Sequence, residues 1–284
     1  CAAYGSWVHE TFCSNLPPDM LWVSNRSTGE SLAVVPGAWR TRDVQVGRHV
    51  PPPPADLPRF MVRFDRAYQS PPLTRLRQIQ SSGAVHHRFL WIHPFLDGNG
   101  RVARLMAHAL FKRLDIGTSL WSVARGLARQ DELYKKLLMQ ADGPREGDRD
   151  GRGQLTQRGL VAFCKFFLDC AIDQIAFMAD LLEADTLLTR MEIHVEEEVR
   201  LKRLPRGSYP VLREAVLAGE GERSKLPLLT GYGERGARNV TAALVERGML
   251  SAASHRAPLR LAFPADAVER WFPNLYPANA GTRA

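Results

Sequence analysis

The sequence predicts a mainly α-helical protein with a small β-hairpin toward its N-terminus and a separate C-terminal unit of short helices and a hairpin. Three observations carry that expectation. Apolar residues recur at helical spacing through most of the stretch from Leu57 to Arg203. Short β-prone pieces separated by turn residues are confined to the first fifty residues and to the C-terminal part. A Pro/Gly interruption, LPRGSYP from Leu204 to Pro210, divides the long helical stretch from the C-terminal unit.

Bulk composition narrows the possibilities. The chain has 284 residues, 45% hydrophobic and 24% charged, enough for a good core in one or two domains. No apolar run approaches the roughly 20 residues that a membrane helix requires, and CAAYGSWVHE lacks the basic-then-apolar layout of a signal peptide. A cytoplasmic protein with no membrane partner is expected. Cys1, Cys13, Cys164 and Cys170 form no CxxC pair and no His/Cys cluster at zinc spacing, so they read as reduced, mostly buried residues. The first residue is Cys rather than Met, which reads as a fragment or a processed chain. A net charge of +8 and a pI near 9.6 favour an anionic partner: nucleotide, nucleic acid or an acidic protein surface. From Arg200 to Arg260, 12 Lys/Arg stand against five Asp/Glu, so the C-terminal part is the more basic end.

The elements are taken in chain order. MLWV (Met20 to Val23) and LAVV (Leu32 to Val35), separated by SNRSTGE, read as a strand hairpin within residues 1 to 35. Pro36 to Pro54 cannot be helical, and the alternation around Val44 and Val46 suggests an extended strand ended by Gly47 and the proline run. Leu57, Phe60, Met61, Phe64 and Tyr68 place a helix over 57–68, and Leu76, Ile79 and Gly83 place another over about 74–90. After Asn99, Val102, Leu105, Met106, Ala109 and Leu110 form one stripe of a helix, with Arg101, Arg104 and His108 on another face. ADGPREGDRDGRGQ, from Ala141 to Gln154, is expected to be a mobile loop. Two long helices are expected over about 156–182 and 184–203, the first apolar on much of its surface. Beyond Pro210 the order is helix, short helix, a turn at Thr230-Gly231-Tyr232, helix and hairpin, the layout of a winged helix-turn-helix.

One short stretch concentrates the chemistry: HPFLDGNGR, His93 to Arg101. Gly98 and Gly100 are poor packing residues, so something other than stability selects them. Asn99 is a favoured helix N-cap, and the Gly-flanked turn presents unpaired backbone N–H groups and the positive end of a helix dipole at one point. That is an anion cradle, which the missing Cβ atoms open to a phosphate. Arg101 and Arg104, three apart, are expected to project toward the same volume, where guanidinium groups grip phosphate oxygens. Asp97 beside this positive pocket makes electrostatic sense if a divalent cation bridges it to the phosphates, and magnesium fits best. His93, fixed by Pro94, suits a general base near neutral pH. Phe95 is expected to plug the loop into the core. The natural reaction is nucleotidyl or phosphoryl transfer to a hydroxyl.

HPFLDGNGRVAR, His93 to Arg104, resembles the signature of the Fic family, HPFx(D/E)GNGRxxR, at every defining position. HHRFLWI before it resembles the end of the preceding Fic helix, and WRTRDVQVG (Trp39 to Gly47) resembles the flap strand that holds a target peptide by backbone pairing. The resemblance spans roughly residues 20 to 200, and the tail resembles the winged helix found on many bacterial Fic proteins. It implies a Fic-type helical core with a β-hairpin flap over 1–203 (flap about 36–50, motif 93–104), a winged helix-turn-helix over 204–276 and a tail over 277–284. It also implies protein adenylyltransferase activity: transfer of AMP from ATP, with Mg2+, to a Ser, Thr or Tyr hydroxyl of a target protein or of the chain itself, releasing pyrophosphate. His93 would deprotonate the hydroxyl and Asp97 would hold magnesium between the α and β phosphates. Gly98 and Gly100 would contact phosphates through the backbone, Asn99 would orient the α phosphate, Arg101 would bind the β phosphate and Arg104 the γ phosphate. Arg42, Asp43 and Val44 would be the flap residues facing the target.

Several readings stay open. Arg40, Arg42 and Asp43 either read the target or form a solvated hairpin of mixed charge. Arg125 and Arg129 either line a nucleotide pocket or are exposed helix charges, and His108 is either a nucleotide contact or a surface residue. His86 and His87, seven and six residues before His93, match no compact metal motif, so one of them is expected to pack under the motif loop. Arg235, Arg238 and Asn239 open the helix that would contact DNA, unless the C-terminal unit serves protein contacts or a homodimer. Ser6 and Glu10 have the spacing of the family's inhibitory (S/T)xxxE(G/N) helix, whose glutamate pairs with the second motif arginine, here Arg104; Thr11 departs from it. The inhibitory helix is otherwise expected upstream of Cys1 or on a partner. Rival functions are a nucleotide-sensing DNA-binding regulator, removal of AMP, or transfer of UMP, GMP or phosphocholine.

Overall fold

The computed structural model describes residues 2–24, 29–69, 74–116, 121–254, 257–273 and 275. They form a mainly helical protein in two compact units, Cys1–Ala176 and Phe177–Ala284. The boundary falls inside a long helix, upstream of the Leu204–Pro210 interruption. The expected 277–284 tail and the 25–28 tip of the first hairpin lie outside the described residues. No described helix is long and apolar enough to cross a membrane.

Unit 1 begins with helix α1 (Ala2–Cys13), which carries Ser6 and Glu10 and precedes the hairpin. Its residues are mediocre helix formers, and the helix is held by tertiary packing: Gly5, Val8, His9 and Cys13, spaced for one helical face, are its buried residues. Gly5 permits the approach, since a Cβ there would lie 3.1 Å from the Phe89 ring. The hairpin forms as expected from β1 (Trp22–Ser24) and β2 (Ser31–Ala33), antiparallel with Val23 opposite Leu32.

The extended strand expected over 36–50 is absent. That segment holds a single bridge, Val46 to His49, around Gly47 at φ 61°. The physical reason lies in where its backbone donors go. Arg40 N donates to Pro94 O and Gly37 N to His9 Nδ1, so the segment is pinned to the motif loop and to α1 instead of to a neighbouring strand.

Helices α2 (Leu57–Gln69), α3 (Arg75–Ile92) and α4 (Asn99–Arg113) come next, then α5 (Val123–Arg129), α6 (Asp131–Ala141) and α7 (Gln157–Leu181). Leu57, Met61 and Phe64 of α2, Phe89 and Ile92 of α3, and Val102 and Met106 of α4 bury together around Phe95. Leu76 and Leu105, expected on apolar faces, are exposed: burial on α3 falls from Ser82 to Ile92, and burial on α4 falls on Asn99, Val102, Ala103, Met106, Ala107 and Phe111. Gly83 is needed there: a Cβ would stand 2.9 Å from the Cα of Cys164 on α7.

The 141–154 segment, expected to be mobile, is closed by its own acid. Asp150 is buried and accepts from the backbone N–H groups of Glu146 and Arg158, while Arg145 N bonds Gln154 O. Those backbone bonds hold the Asp150 carboxyl down at about 2. A depressed carboxyl stabilises the fold above the unfolded value near 4 and loses that contribution as pH falls toward 2. Proteolysis within 144–156 should therefore accelerate between about pH 4 and pH 2, and Asp150→Asn should show fast cleavage already at neutral pH. Equal rates for both proteins at pH 7 would contradict the role given to Asp150.

Unit 2 holds the end of α7, α8 (Ala184–Arg200), α9 (Ser208–Leu217), α10 (Leu226–Thr230), α11 (Glu234–Glu246), the β3 (Leu250–Ser251) and β4 (Arg260–Leu261) hairpin, and α12 (Ala265–Trp271). The buried carboxylate of Glu198 joins α8 to Arg203 at 3.2 Å and to Arg247 at 3.0 Å. Trp271 Nε1 donates to His194 Nδ1 at 3.0 Å. Gly231 ends α10 at φ 72°, which makes the expected turn before α11.

Candidate nucleotidyl-transfer site

The motif loop runs from the end of α3 to the start of α4. His93 caps α3 in the left-handed region at φ 51°, a conformation that L residues adopt only when the surroundings impose it. What imposes it is Arg40. This buried arginine donates Nε to His93 O at 2.8 Å and Nη1 to Arg42 O at 3.0 Å, and its Nη2 donates to Pro52 O. Its backbone N–H takes Pro94 O at 2.8 Å. Arg40 is thus enclosed, neither a solvated hairpin charge nor a side chain free to meet a target. Burial lowers its pKa without neutralising it.

The His93 ring is fixed at one nitrogen. Nδ1 lies 3.2 Å from Leu90 O, and since a carbonyl only accepts, Nδ1 carries the proton and Nε2 is the free base. Burial lowers the pKa to about 4, aided by the charge of Arg40, so the imidazole is neutral at physiological pH.

Phe95 is fully buried, as expected of a plug, with its ring 4.0 Å from that of His9 and nearly parallel. Asn99 is not the N-cap. Gly98 takes that place at φ 80°, and the Asn99 amide folds inward, accepting from Phe95 N at 3.0 Å and donating to Phe95 O at 2.8 Å. Asn99 is 2% exposed with both ends of its amide used, so its evident task is to close the loop. The first N–H groups of α4 remain outside the helix ladder, beside Gly98 and Gly100.

The two motif arginines take different partners. Arg101 pairs with Asp97 at 2.5 Å and lies over the Phe12 ring at 4.7 Å. Both members of this pair are more than a third exposed, so separating them costs at most about 1 kcal/mol. Asp97 is therefore available to a cation and Arg101 to a phosphate. Arg104 folds back over Gly100, whose Cβ would stand 3.3 Å from Nη1, and sits beside Tyr134 of α6.

A single half-exposed carboxylate next to free amides suits an ion that takes oxygen ligands mostly from substrate and water, which describes magnesium and not zinc. Among the described residues no cluster of three or more His, Cys, Asp or Glu could hold a metal by itself. His86 and His87 do not ligate one. His86 Nε2 meets Tyr134 Oη at 2.8 Å, and His87 Nε2 lies 3.0 Å from Asp142 Oδ1.

Sequence reasoning missed His9. It is fully buried on α1, accepts from Gly37 N at Nδ1 (2.9 Å) and directs Nε2 to Asp97 O (3.2 Å), joining α1, the 36–50 segment and the motif loop. A helical reading of residues 2–13 would have put it on the buried face. Tyr134 was missed as well, since it lies thirty residues beyond the motif. Glu10 is exposed, with its carboxylate near Gly37, and no ion pair joins it to Arg104 among the described residues.

A groove of about 180 Å³ runs beside the loop, lined by Leu32 to Val35, Ala38 to Arg42 and Leu96. Arg42 pairs there with Glu30 at 3.0 Å; Asp43 is exposed and Val44 half-buried. A larger cavity of about 440 Å³, lined by Tyr4, Tyr68, Val85, Phe89 and Met106 among others, contains neither His93 nor Asp97 and is not the reaction site. Arg125 is half-buried against Gln174 at 3.1 Å, Arg129 is exposed and His108 is half-buried. In unit 2, Arg235, Arg238 and Asn239 are exposed on α11, with Arg238 engaged by Glu234 at 3.0 Å.

Known proteins with similar sequences match about a third of this chain. A protein adenylyltransferase Fic of Drosophila erecta is 37% identical over 95 residues, 34% of this chain and 19% of that protein. The protein of the same name from Drosophila yakuba is 38% identical over an equal span. The matched stretch thus spans about a fifth of the length of these curated relatives. A crystal structure of a Fic family protein from Desulfovibrio desulfuricans G20 aligns over 92% of this chain and 70% of its own, at 18% identity and a TM-score of 0.44. The segment from residue 16 to residue 111, which carries the hairpin, the Arg40 pin and the whole 93–104 motif, matches the Fic/DOC family.

Proposed function

We propose that this site transfers AMP from ATP to a hydroxyl group of a protein, the chain itself included. The observation that carries the reading is the state of His93: neutral, with Nδ1 committed to Leu90 O and Nε2 free, at the edge of a helix N-terminus rich in unpaired amides. A base with one free nitrogen beside an anion cradle suits attack by a hydroxyl on a bound phosphate. The names of the curated relatives supply the rest: the α phosphate as electrophile and a protein as acceptor.

In this reading His93 Nε2 takes the hydroxyl proton as the oxygen attacks the α phosphorus and pyrophosphate leaves. The amides at Gly98 and Gly100 receive phosphate oxygens, Arg101 leaves Asp97 for the β phosphate, and Arg104 holds the γ phosphate. Asn99 acts through the loop it closes. Asp97 would hold a magnesium ion, which when bound neutralises phosphate charge. The groove beside Leu96, bordered by Arg42, would seat the acceptor segment, with Asp43 and Val44 at its outer end. The succession α9, α10, α11 and hairpin supports reading 204–276 as a winged helix-turn-helix. The Glu234–Arg238 pair lends no support to DNA contact, so none is proposed.

The test is incubation of the full chain with ATP labelled in the adenine ring. Label should become fixed to protein in the presence of magnesium and not in its absence. Bound ATP without any fixed label, across a panel of candidate acceptor proteins, would overturn the reading.

A further inference from the structure

The second motif arginine, Arg104, is supported by a chain of buried polar groups that runs away from the motif. Tyr134 of α6 is 8% exposed and His86 of α3 is 2% exposed, yet each carries a polar atom that burial penalises unless it is bonded. Tyr134 Oη meets His86 Nε2 at 2.8 Å, and the Arg104 guanidinium lies near the same hydroxyl, outside good hydrogen-bond geometry. Both rings pack on Phe163, and that of His86 also on Phe167.

Donor and acceptor chemistry fixes the direction of this chain. A guanidinium only donates, so toward Arg104 the Tyr134 oxygen must accept. Its own proton then goes to His86 Nε2, which must be the bare nitrogen of a neutral ring. Burial keeps His86 neutral, its pKa lowered to about 3, in agreement with that requirement. The His86 ring proton is left on Nδ1, toward the Ala103 carbonyl though outside good hydrogen-bond geometry. The sense that puts the Tyr134 proton to use runs from Arg104 through Tyr134 to His86.

We propose that Tyr134, oriented by His86, is a positioning residue that holds the Arg104 guanidinium over the start of α4, ready for the terminal phosphate of a nucleoside triphosphate. This rests on the reading of the motif as a nucleotide site. It accounts for a hydroxyl and an imidazole placed in an aromatic core where Phe and Leu would pack as well. It also explains how Arg104 is placed with no carboxylate partner among the described residues, since such a partner would compete with phosphate for the same guanidinium.

The experiment is calorimetric titration of the full chain with ATP and with AMP at fixed magnesium, for the parent, Arg104→Ala, Tyr134→Phe and the double variant. Tyr134→Phe keeps the ring and removes only the oxygen. We expect it to weaken ATP by about 3- to 10-fold, the range of one ordinary hydrogen bond, with AMP unchanged. In the Arg104→Ala background the same change should have no further effect, since the two act through one contact. Equal weakening of ATP and AMP, full additivity, or no effect while Arg104→Ala weakens ATP would overturn the positioning role alone. A parent that binds ATP and AMP equally, or an Arg104→Ala variant that binds ATP normally, would remove the nucleotide reading and the proposal with it. His86 provides a second pair: His86→Gln, which keeps an acceptor, should stay within about twofold of the parent for ATP, and His86→Leu should match Tyr134→Phe. The reverse order would refute the proposed direction.

Discussion

His93→Ala should lower AMP transfer by about 10²- to 10⁴-fold while leaving ATP affinity within about twofold, because a general base acts in the transition state and hardly at all in the ground state. The His93 ring makes one hydrogen bond to its own helix, at Leu90 O, so its removal leaves the amides of Gly98 and Gly100 in place. The pH profile separates this base from an ordinary histidine. The base must be unprotonated, and burial brings its pKa down to about 4. Transfer by the parent should therefore stay flat from pH 8 down to about pH 5 and fall tenfold per unit below about pH 4. A half-maximal rate near pH 6.5 would mean that the base is more exposed than the structure shows. Normal transfer by the alanine variant would remove His93 from the reaction.

Arg40→Met should be the most damaging change outside the motif. It strips charged donors from His93 O, Arg42 O and Pro52 O, all close to a buried side chain. Hydrogen bonds to charged groups are worth about 1.5–3 kcal/mol each, and partial rehydration of the carbonyls offsets some of that, so a loss of about 2–4 kcal/mol is expected. For a unit of this size that lowers Tm by about 5–15 °C. Activity should fall below what the stability loss explains, because His93 at φ 51° would no longer be held by its own carbonyl. Arg40→Lys keeps the charge but not the three-way fork, and should recover only part of both losses. A methionine variant with parental Tm and kcat would contradict the pin.

These two residues also mark what a sequence can and cannot reveal. The motif was legible because its chemistry is local: His, Asp, two Gly and two Arg within twelve positions define a loop, a helix start and a charge pattern without reference to the rest of the chain. Helices α2 and α4 were legible from their periodicity. Arg40 was legible as a residue and not as a role. Whether an arginine beside a motif faces solvent or carbonyls depends on where the loop passes, and here it passes close to residues 93–94, fifty-odd positions away. The same nonlocality hid the loss of the 36–50 strand, whose donors go to His9 and Pro94. The inward turn of Asn99 was hidden although it is local: its side chain takes the Phe95 backbone, four residues back, in preference to the cap of its own helix. Helix α1 was legible only through the spacing of Ser6 and Glu10, because it is marginal alone and exists through burial of His9 and Val8 against the motif loop and core.

The central claim is that the phosphorus attacked is the α phosphorus. The most direct measurement is a single reaction of the full chain with magnesium and ATP carrying distinguishable labels in its α and γ phosphates, followed by counting both labels on the denatured protein. The account predicts that the α label is retained on protein, that the γ label leaves as pyrophosphate, and that His93→Ala retains neither. Retention of the γ label would make the site a phosphoryl transferase and contradict the account.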